Sequence, residues 1–160
     1  MTAIVVGASS GIGRALSVAL AQATQPLVLV ASDARDLAPL ASDLRLRFDV
    51  EVRIVAMDLA GCADPGARVM EELRDMPAAT ALLLPVGMSR NEDDGHLGAA
   101  AIGQLLAINL HAPMAIAHAL LPALLEAHGV VVGFGSIAGA RGRSKNVVYA
   151  AAKRGLETYF

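Results

Sequence analysis

Tyr149 and Lys153 stand four residues apart in the segment Val147-Val148-Tyr149-Ala150-Ala151-Ala152-Lys153. On a helix that spacing puts both side chains on one face, within reach of a common substrate. The pairing has a chemical use. A free phenol ionises near pH ~10 and is a poor proton donor or acceptor at neutral pH, whereas a nearby ammonium favours the phenolate and tunes the group for proton transfer. A surface helix carries the same two residues without any function, so the pair gains meaning from its company. Ser136, in Gly135-Ser136-Ile137-Ala138-Gly139, follows an apolar run and completes the pattern S-x12-Y-x3-K, and Asn109 lies upstream in Ala107-Ile108-Asn109-Leu110.

A second constellation sits near the N-terminus, where Ala3–Val6 leads into Gly7-Ala8-Ser9-Ser10-Gly11-Ile12-Gly13-Arg14. In a turn of the form G-x3-G-x-G between a strand and a helix, Gly7 permits the sharp turn and Gly11 lets a pyrophosphate approach the backbone. Gly13 lets helix and strand pack closely, while the helix N-terminus offers amide donors and a positive dipole. A tight strand-to-helix turn without a ligand has the same glycines. Its place in the first βαβ unit points to a dinucleotide.

The elements that must position these groups alternate along the chain. Continuous apolar runs predict strands at Ala3–Val6, Leu27–Ala31, Val52–Met57, Ala81–Leu84 and Val130–Phe134, as expected when both sheet faces are covered. Helices are predicted at about Gly11–Ala23, Ala34–Leu46, Pro65–Asp75 and Leu97–Glu126, with one more starting near Asn146. Asp64-Pro65 reads as an N-cap followed by an N1 proline. Because parallel strands need right-handed crossovers, this order predicts an α/β fold with a doubly wound parallel sheet, a Rossmann-type three-layer α/β/α arrangement. The loops Gly7–Gly13, Asp58–Leu59, Pro85–Gly98 and Gly135–Asn146 then meet at the carboxyl ends of the strands.

The G-x3-G-I-G turn, Asn109, Ser136, Tyr149 and Lys153, taken in order and spacing, resemble the short-chain dehydrogenase/reductase family over essentially the whole chain. The resemblance implies an NAD(P)-dependent oxidoreductase that moves a hydride between the nicotinamide and a carbonyl or alcohol. Tyr149 would be general acid/base, Lys153 would tune it and bind the nicotinamide ribose, Ser136 would hold the substrate oxygen, and Asn109 would support a water relay to the lysine. Cofactor-binding positions fall on Gly7, Ser9, Ser10, Gly11, Ile12, Gly13, Asp58, Leu59 and Gly87, together with Tyr149 and Lys153. Asp58 would contact the adenine, or it is a cap or turn residue. At the end of the second strand an acid would select NAD and a basic residue NADP; here Ala31 and Ser32 occupy those positions. Ser32 and Arg35 would hold a 2′-phosphate, and Asp33 would bind a hydroxyl if the loop is shifted by two residues. The reading leans to NADP(H) over NAD(H). It also implies a homodimer or homotetramer.

The chain departs from the family in three places. Leu84-Pro85-Val86-Gly87 replaces N-N-A-G, so only Gly87 keeps its type. The loop Ala140-Arg141-Gly142-Arg143-Ser144-Lys145-Asn146 is basic and polar, and with Met88-Ser89-Arg90-Asn91 it would face a sugar-like or anionic substrate or be a solvated turn. Here G-R-x-x-N-x-x-Y, as Gly142 to Tyr149, is similar to the branch that reduces lipid-linked keto-pentoses. The sequence ends at Thr158-Tyr159-Phe160 inside the last helix without a Gly or Pro stop, and the usual C-terminal strands are lacking. The expectation is a single dinucleotide-binding and catalytic domain over 1–160, incomplete at its C-terminus. The alternative is a catalytically silent NAD(P)-binding module or a fragment of a longer reductase.

Bulk properties agree with small-molecule work. The 160 residues are 55% hydrophobic and 18% charged with a net charge of −2, and no dense Lys/Arg block suggests nucleic acid or an anionic membrane. The run Ala99–Leu125 is broken by Gln104, Asn109, His111, Pro113, His118 and Pro122, which predicts a buried helix rather than a membrane span. The single Cys62 and the absence of an N-terminal export pattern suggest a reducing cytoplasm. His96, His111, His118 and His128 lack a ligand-like arrangement, so no metal site is expected.

Overall fold

The computed structural model describes residues 1–142 and 144–160. Five strands, β1 (Thr2–Val6), β2 (Leu27–Ala31), β3 (Val52–Ala56), β4 (Ala79–Leu84) and β5 (Val130–Gly133), form one sheet in the order β3-β2-β1-β4-β5. Every pairing is parallel. The helices are α1 (Gly11–Gln22), α2 (Ala34–Phe48), α3 (Pro65–Glu72), α4 (Ala99–Leu106), α5 (Ala112–Glu126) and α6 (Val147–Tyr159). This is the doubly wound α/β sheet that the alternation of elements predicted.

The continuous apolar strands divide their side chains between two cores. Ile4, Val6, Val28, Val30, Leu82 and Leu84 face α3 and α5, where they meet Val69, Ile116 and Leu120. Their neighbours Ala3, Val5, Leu27, Leu29 and Leu83 point the other way, against Ala21, Leu37, Leu40 and Leu44 of α1 and α2. Alternation across a strand thus makes every second residue serve a different helix layer. On β5 the cover thins, leaving Val130 and Val132 exposed at the edge of the sheet.

One helix start is capped as the sequence predicts, and a second uses the same device at a residue the sequence reading considers for a ribose hydroxyl. The Asp64 carboxylate accepts from Ala67 N–H with Pro65 in the first turn of α3, and Asp33 likewise caps α2 by accepting from Arg35 N–H. The predicted single helix over Leu97–Glu126 is instead α4 and α5 joined by a π turn, Ala107–His111, that contains Asn109. Wider turns of this kind aim one side chain out of register with its neighbours. Asn109 is fully buried there and directed at the loop after β4.

After β1 the chain builds β2 and β3 on one side, then crosses to place β4 on the other. The order therefore reverses between β1 and β4, and a ligand crevice is expected beyond their carboxyl ends.

Candidate active site

A cleft of about 430 Å³ opens at that switch point. Its floor is the Gly7–Gly13 turn, one wall is Ala31, Ser32, Asp58 and Leu59, and the other is Pro85, Val86, Gly87 and Met88, with Ile108 at the end. The turn is built by contact. Gly7 has φ +95°, and a Cβ there would stand 2.8 Å from Val86 Cα, while one on Gly13 would stand 1.9 Å from the Gly7 carbonyl oxygen. Gly7 N–H and Ala8 N–H both donate to Val30 O, and Arg14 donates to Ser9 O from the first turn of α1.

The position of Gly11 differs from these two. With φ +51°, no atom of the described residues beyond its chain neighbours and its own helix backbone lies within 4 Å of where its Cβ would be, so its missing side chain leaves open space above the backbone rather than a packed contact. Ser10 precedes α1 without a side-chain cap bond, and the first turn of α1 has no acidic residue. Whereas α2 and α3 spend their first amides on Asp33 and Asp64, α1 directs its free amides and positive end at the cleft. The volume, the bare approach at Gly11 and the unspent helix terminus fit the phosphates of a dinucleotide cofactor.

At the end of β2, Ser32 lines the cleft. Arg35 does not; it is exposed and paired with Asp33 through its guanidinium, which holds the Asp33 carboxyl below the usual carboxylate range. Asp58 accepts from Ala60 N–H, as the turn reading of it expects, and also lines the cleft. Ser9, Ser10 and Ile12 line the cleft with the glycines.

Two of the residues predicted to serve proton transfer, Lys153 and Asn109, meet at the Val86–Met88 wall. Lys153 is 2% exposed. Its ammonium donates to Val86 O at 2.9 Å and to Phe134 O at 3.1 Å. Asn109 Oδ1 accepts from Met88 N–H at 2.9 Å, and its Nδ2 donates to Met88 O and to Leu105 O, both at 2.8 Å. A Cβ on Gly87 would lie 3.4 Å from Asn109 Oδ1 and 3.5 Å from Lys153 Nζ, so three sequence-predicted residues meet at one point. Tyr149 precedes Lys153 by one turn of α6 and is half-buried. Ser136 begins a short 3₁₀ turn, Ile137–Gly139, where its hydroxyl accepts from Ala138 N–H. With leucine and proline in place of the two asparagines, the wall is held by its own backbone carbonyl to Lys153 and by Asn109.

Burial pulls the Lys153 ammonium below the ordinary lysine range, and the Glu157 carboxylate opposes that shift. Glu157 Oε1 also accepts from Ser136 N–H at 3.1 Å. Glu157→Gln keeps an acceptor but removes the charge, so Lys153 is expected to titrate at a still lower pH. The chain has two lysines, Lys145 and Lys153, which makes 15N NMR of the side-chain ammonium a direct check; an upward shift would refute the assignment.

Asp93 and Glu157 are the site residues that sequence reasoning did not single out. Asp93 is fully buried and accepts from Val148 N–H and Tyr149 N–H. In the basic loop Arg141, Gly142, Ser144 and Lys145 are exposed, while Arg143 lies outside the described residues. Arg90 donates to the Gln104 side chain on α4.

A doubly wound parallel sheet with a glycine-floored cleft at its switch point has the architecture of the dinucleotide-binding α/β folds. The chain belongs to the short-chain dehydrogenase family, whose pattern it matches over residues 1–160. Its sheet and helices superpose on the bulky-bulky ketone specific alcohol dehydrogenase from Comamonas testosteroni with a TM-score of 0.88 at 30% identity, over 97% of this chain and 62% of that one. A short-chain dehydrogenase from Sphingobium yanoikuyae in complex with NADPH gives 0.88 at 31% identity, over 97% and 60%. Among curated relatives, a very-long-chain 3-oxoacyl-CoA reductase from Coprinopsis cinerea is 25% identical over 98% of this chain and 47% of its own length. The chain thus spans about half the length of that relative.

Proposed function

We propose that this chain is the cofactor-binding and catalytic part of an NADPH-dependent reductase of ketones, with Tyr149 as the proton donor. The observation that carries the reading is the convergence of Lys153, Asn109 and Gly87 on the cleft wall, one helical turn from Tyr149. The cofactor supplies a hydride equivalent at the nicotinamide C4, and the protein supplies geometry and a proton. The residues that would hold it are the Gly7–Gly13 turn with Ser9, Ser10 and Ile12 for the phosphates, Ser32 near the adenosine ribose, Asp58 and Leu59 at the adenine, and Gly87 with Lys153 towards the nicotinamide end.

Tyr149 donates its phenolic proton to the carbonyl oxygen, and the Ser136 hydroxyl orients that oxygen. The Lys153 ammonium, kept in place by two carbonyls, stabilises the phenolate left behind. Asn109 serves this chemistry by fixing Met88 through both its N–H and C=O, which keeps the wall beside Lys153 in one position. In the reverse direction the same groups remove a proton from an alcohol.

Three observations support NADPH over NADH. The acid that would hold a ribose 2′-hydroxyl is absent at Ala31, Ser32 is open to the cleft, and Asp33 is committed to Arg35 and the start of α2. The similar Sphingobium protein was solved in complex with NADPH. The substrate class, a ketone, is supported by the similarity to the Comamonas alcohol dehydrogenase, which is specific for bulky-bulky ketones.

The test is fluorescence titration with NADPH and NADH, followed by NADPH oxidation at 340 nm with a panel of bulky ketones, 3-oxoacyl thioesters and keto-sugars. The reading expects NADPH to bind at least about tenfold more tightly than NADH and at least one ketone to be reduced. Binding without turnover of any carbonyl would instead favour a silent cofactor-binding module, and no binding would remove both readings.

A further inference from the structure

We infer that Asp93 is a positioning residue for Tyr149, locking the helix that carries the proton donor to the loop that walls the cofactor cleft. The inference rests on the reading of Tyr149 as proton donor. Asp33 and Asp64 cap α2 and α3 from the adjacent position in the chain, and a local cap of that kind stabilises a helix without saying where it lies. The residue in the corresponding position of α6, Asn146, has φ 58° and makes no side-chain cap bond.

The cap of α6 comes from far away instead. Asp93 Oδ1 accepts from Val148 N–H and Oδ2 from Tyr149 N–H, each at 2.9 Å, and the Asp93 carbonyl accepts from Val147 N–H at 3.3 Å. One residue therefore satisfies three successive amides in the first turn, across more than fifty positions of sequence. Its side chain is 0% exposed. A carboxylate that deep is costly unless its charge is met, and here the helix amides and the positive end of α6 meet it. Tyr149 N–H is itself one of the donors, so the bond acts on the backbone of the catalytic residue with no intervening side chain.

The same loop is held at two earlier points. Val86 O accepts from Lys153 Nζ, and Met88 is bonded at both backbone groups by Asn109. Val86, Gly87 and Met88 line the cleft. The loop from Val86 to Asp93 thus bridges the nicotinamide end of the cleft and the start of α6, with Lys153 tying its near end and Asp93 its far end to one helix. Removing the far tie leaves Lys153 attached and frees the turn that carries Tyr149. Misplacement of a reacting group by about 1 Å costs on the order of 100-fold in rate.

The experiment compares Asp93→Ala and Asp93→Asn in the full-length protein, with Asp64→Ala as a local-cap control that does not line the cleft and Tyr149→Phe as the check on the underlying reading. Four quantities are measured: NADPH Kd by fluorescence, kcat with a reducible ketone, the isotope effect with 4-deuterated NADPH, and amide hydrogen exchange at Val148 and Tyr149. Asp93→Ala is expected to lower kcat on the order of 30-fold with NADPH Kd within about threefold of the parent, to raise the isotope effect, and to expose both amides to exchange. Asp93→Asn keeps one acceptor oxygen in the same place and is expected to lose about fivefold in kcat and protection at one amide. If Asp93→Ala does not fold, Asp93→Asn alone decides, and an unchanged kcat in it overturns the inference. So does a loss in Asp93→Ala no larger than in Asp64→Ala, or one matched by an equal loss of NADPH affinity. Activity persisting in Tyr149→Phe would defeat the proton-donor reading itself, whatever the Asp93 variants do.

Discussion

Tyr149→Phe is expected to lower kcat for ketone reduction by about 10³-fold while leaving NADPH Kd within about threefold, because it deletes one proton and one oxygen from the site. Phenylalanine fills the same half-buried position on α6, and the backbone bond from Tyr149 N–H to Asp93 does not depend on the ring substituent. The cleft itself is built by other residues, from Gly7 to Ile108. The two parameters must therefore separate. Steady-state kinetics and fluorescence titration on the same preparation check this, and a parallel loss of both would mean that the phenol supports the cleft rather than the chemistry.

The second large effect belongs to Gly13. A methyl group there would stand 1.9 Å from the Gly7 carbonyl oxygen and 3.1 Å from Ala8 Cα. Both are backbone atoms pinned to β1 and, through Val30, to β2, so neither can move aside as a side chain would. Gly13→Ala is expected to cost about 3 kcal/mol or more, a fall of roughly 6–12 °C in Tm for a domain of this size, and to remove detectable NADPH binding. Gly11→Ala is the instructive contrast. Its methyl group meets no protein atom, and an alanine held at positive φ costs only about 1–2 kcal/mol. That variant should fold and still lose about tenfold or more in NADPH affinity, since the space it fills is the approach to the amides of α1. Thermal unfolding and titration of the two variants separate a packing glycine from a ligand glycine. Equal behaviour would contradict the assignment of the cleft.

What could be read from the residues in advance follows a physical rule. Strands such as Leu27–Ala31, buried on both faces, announce themselves as unbroken apolar runs, and the start of α3 is written locally in Asp64-Pro65. The Gly7–Gly13 turn is likewise a local signal, because the demands on φ and on close approach fall on the glycines themselves. The π turn at Asn109 is different. Pro113 has no N–H for the Asn109 carbonyl four residues back, which disfavours ordinary helix there, but the partner of the Asn109 side chain is distant in sequence: Met88, whose two backbone groups it binds.

Asp93 shows the same limit more sharply. It stands in Asn91-Glu92-Asp93-Asp94, where no local feature separates it from an acidic surface loop. Only the fold brings Val148 and Tyr149 to it. The commitment of Asp33 to Arg35 is a local pairing whose meaning was equally hidden, since the register of the loop against the cleft decides whether that carboxylate faces a ribose or a helix start. Glycines whose own backbone builds the cleft turn, Gly7 and Gly13, were legible by type and spacing. Asp93 and Glu157, whose partners come from distant sequence, were not.

The central claim is that this chain directs a hydride from nicotinamide C4 to a carbonyl carbon. It is tested most directly by incubating the full-length protein with a reducible ketone and NADPH deuterated on one face of C4, with the opposite face tested in parallel. The alcohol product is then analysed by mass spectrometry. The account predicts one deuterium on the carbinol carbon from one face of the nicotinamide and none from the other. An alcohol whose carbinol hydrogen comes from solvent, or equally from both faces, would contradict it.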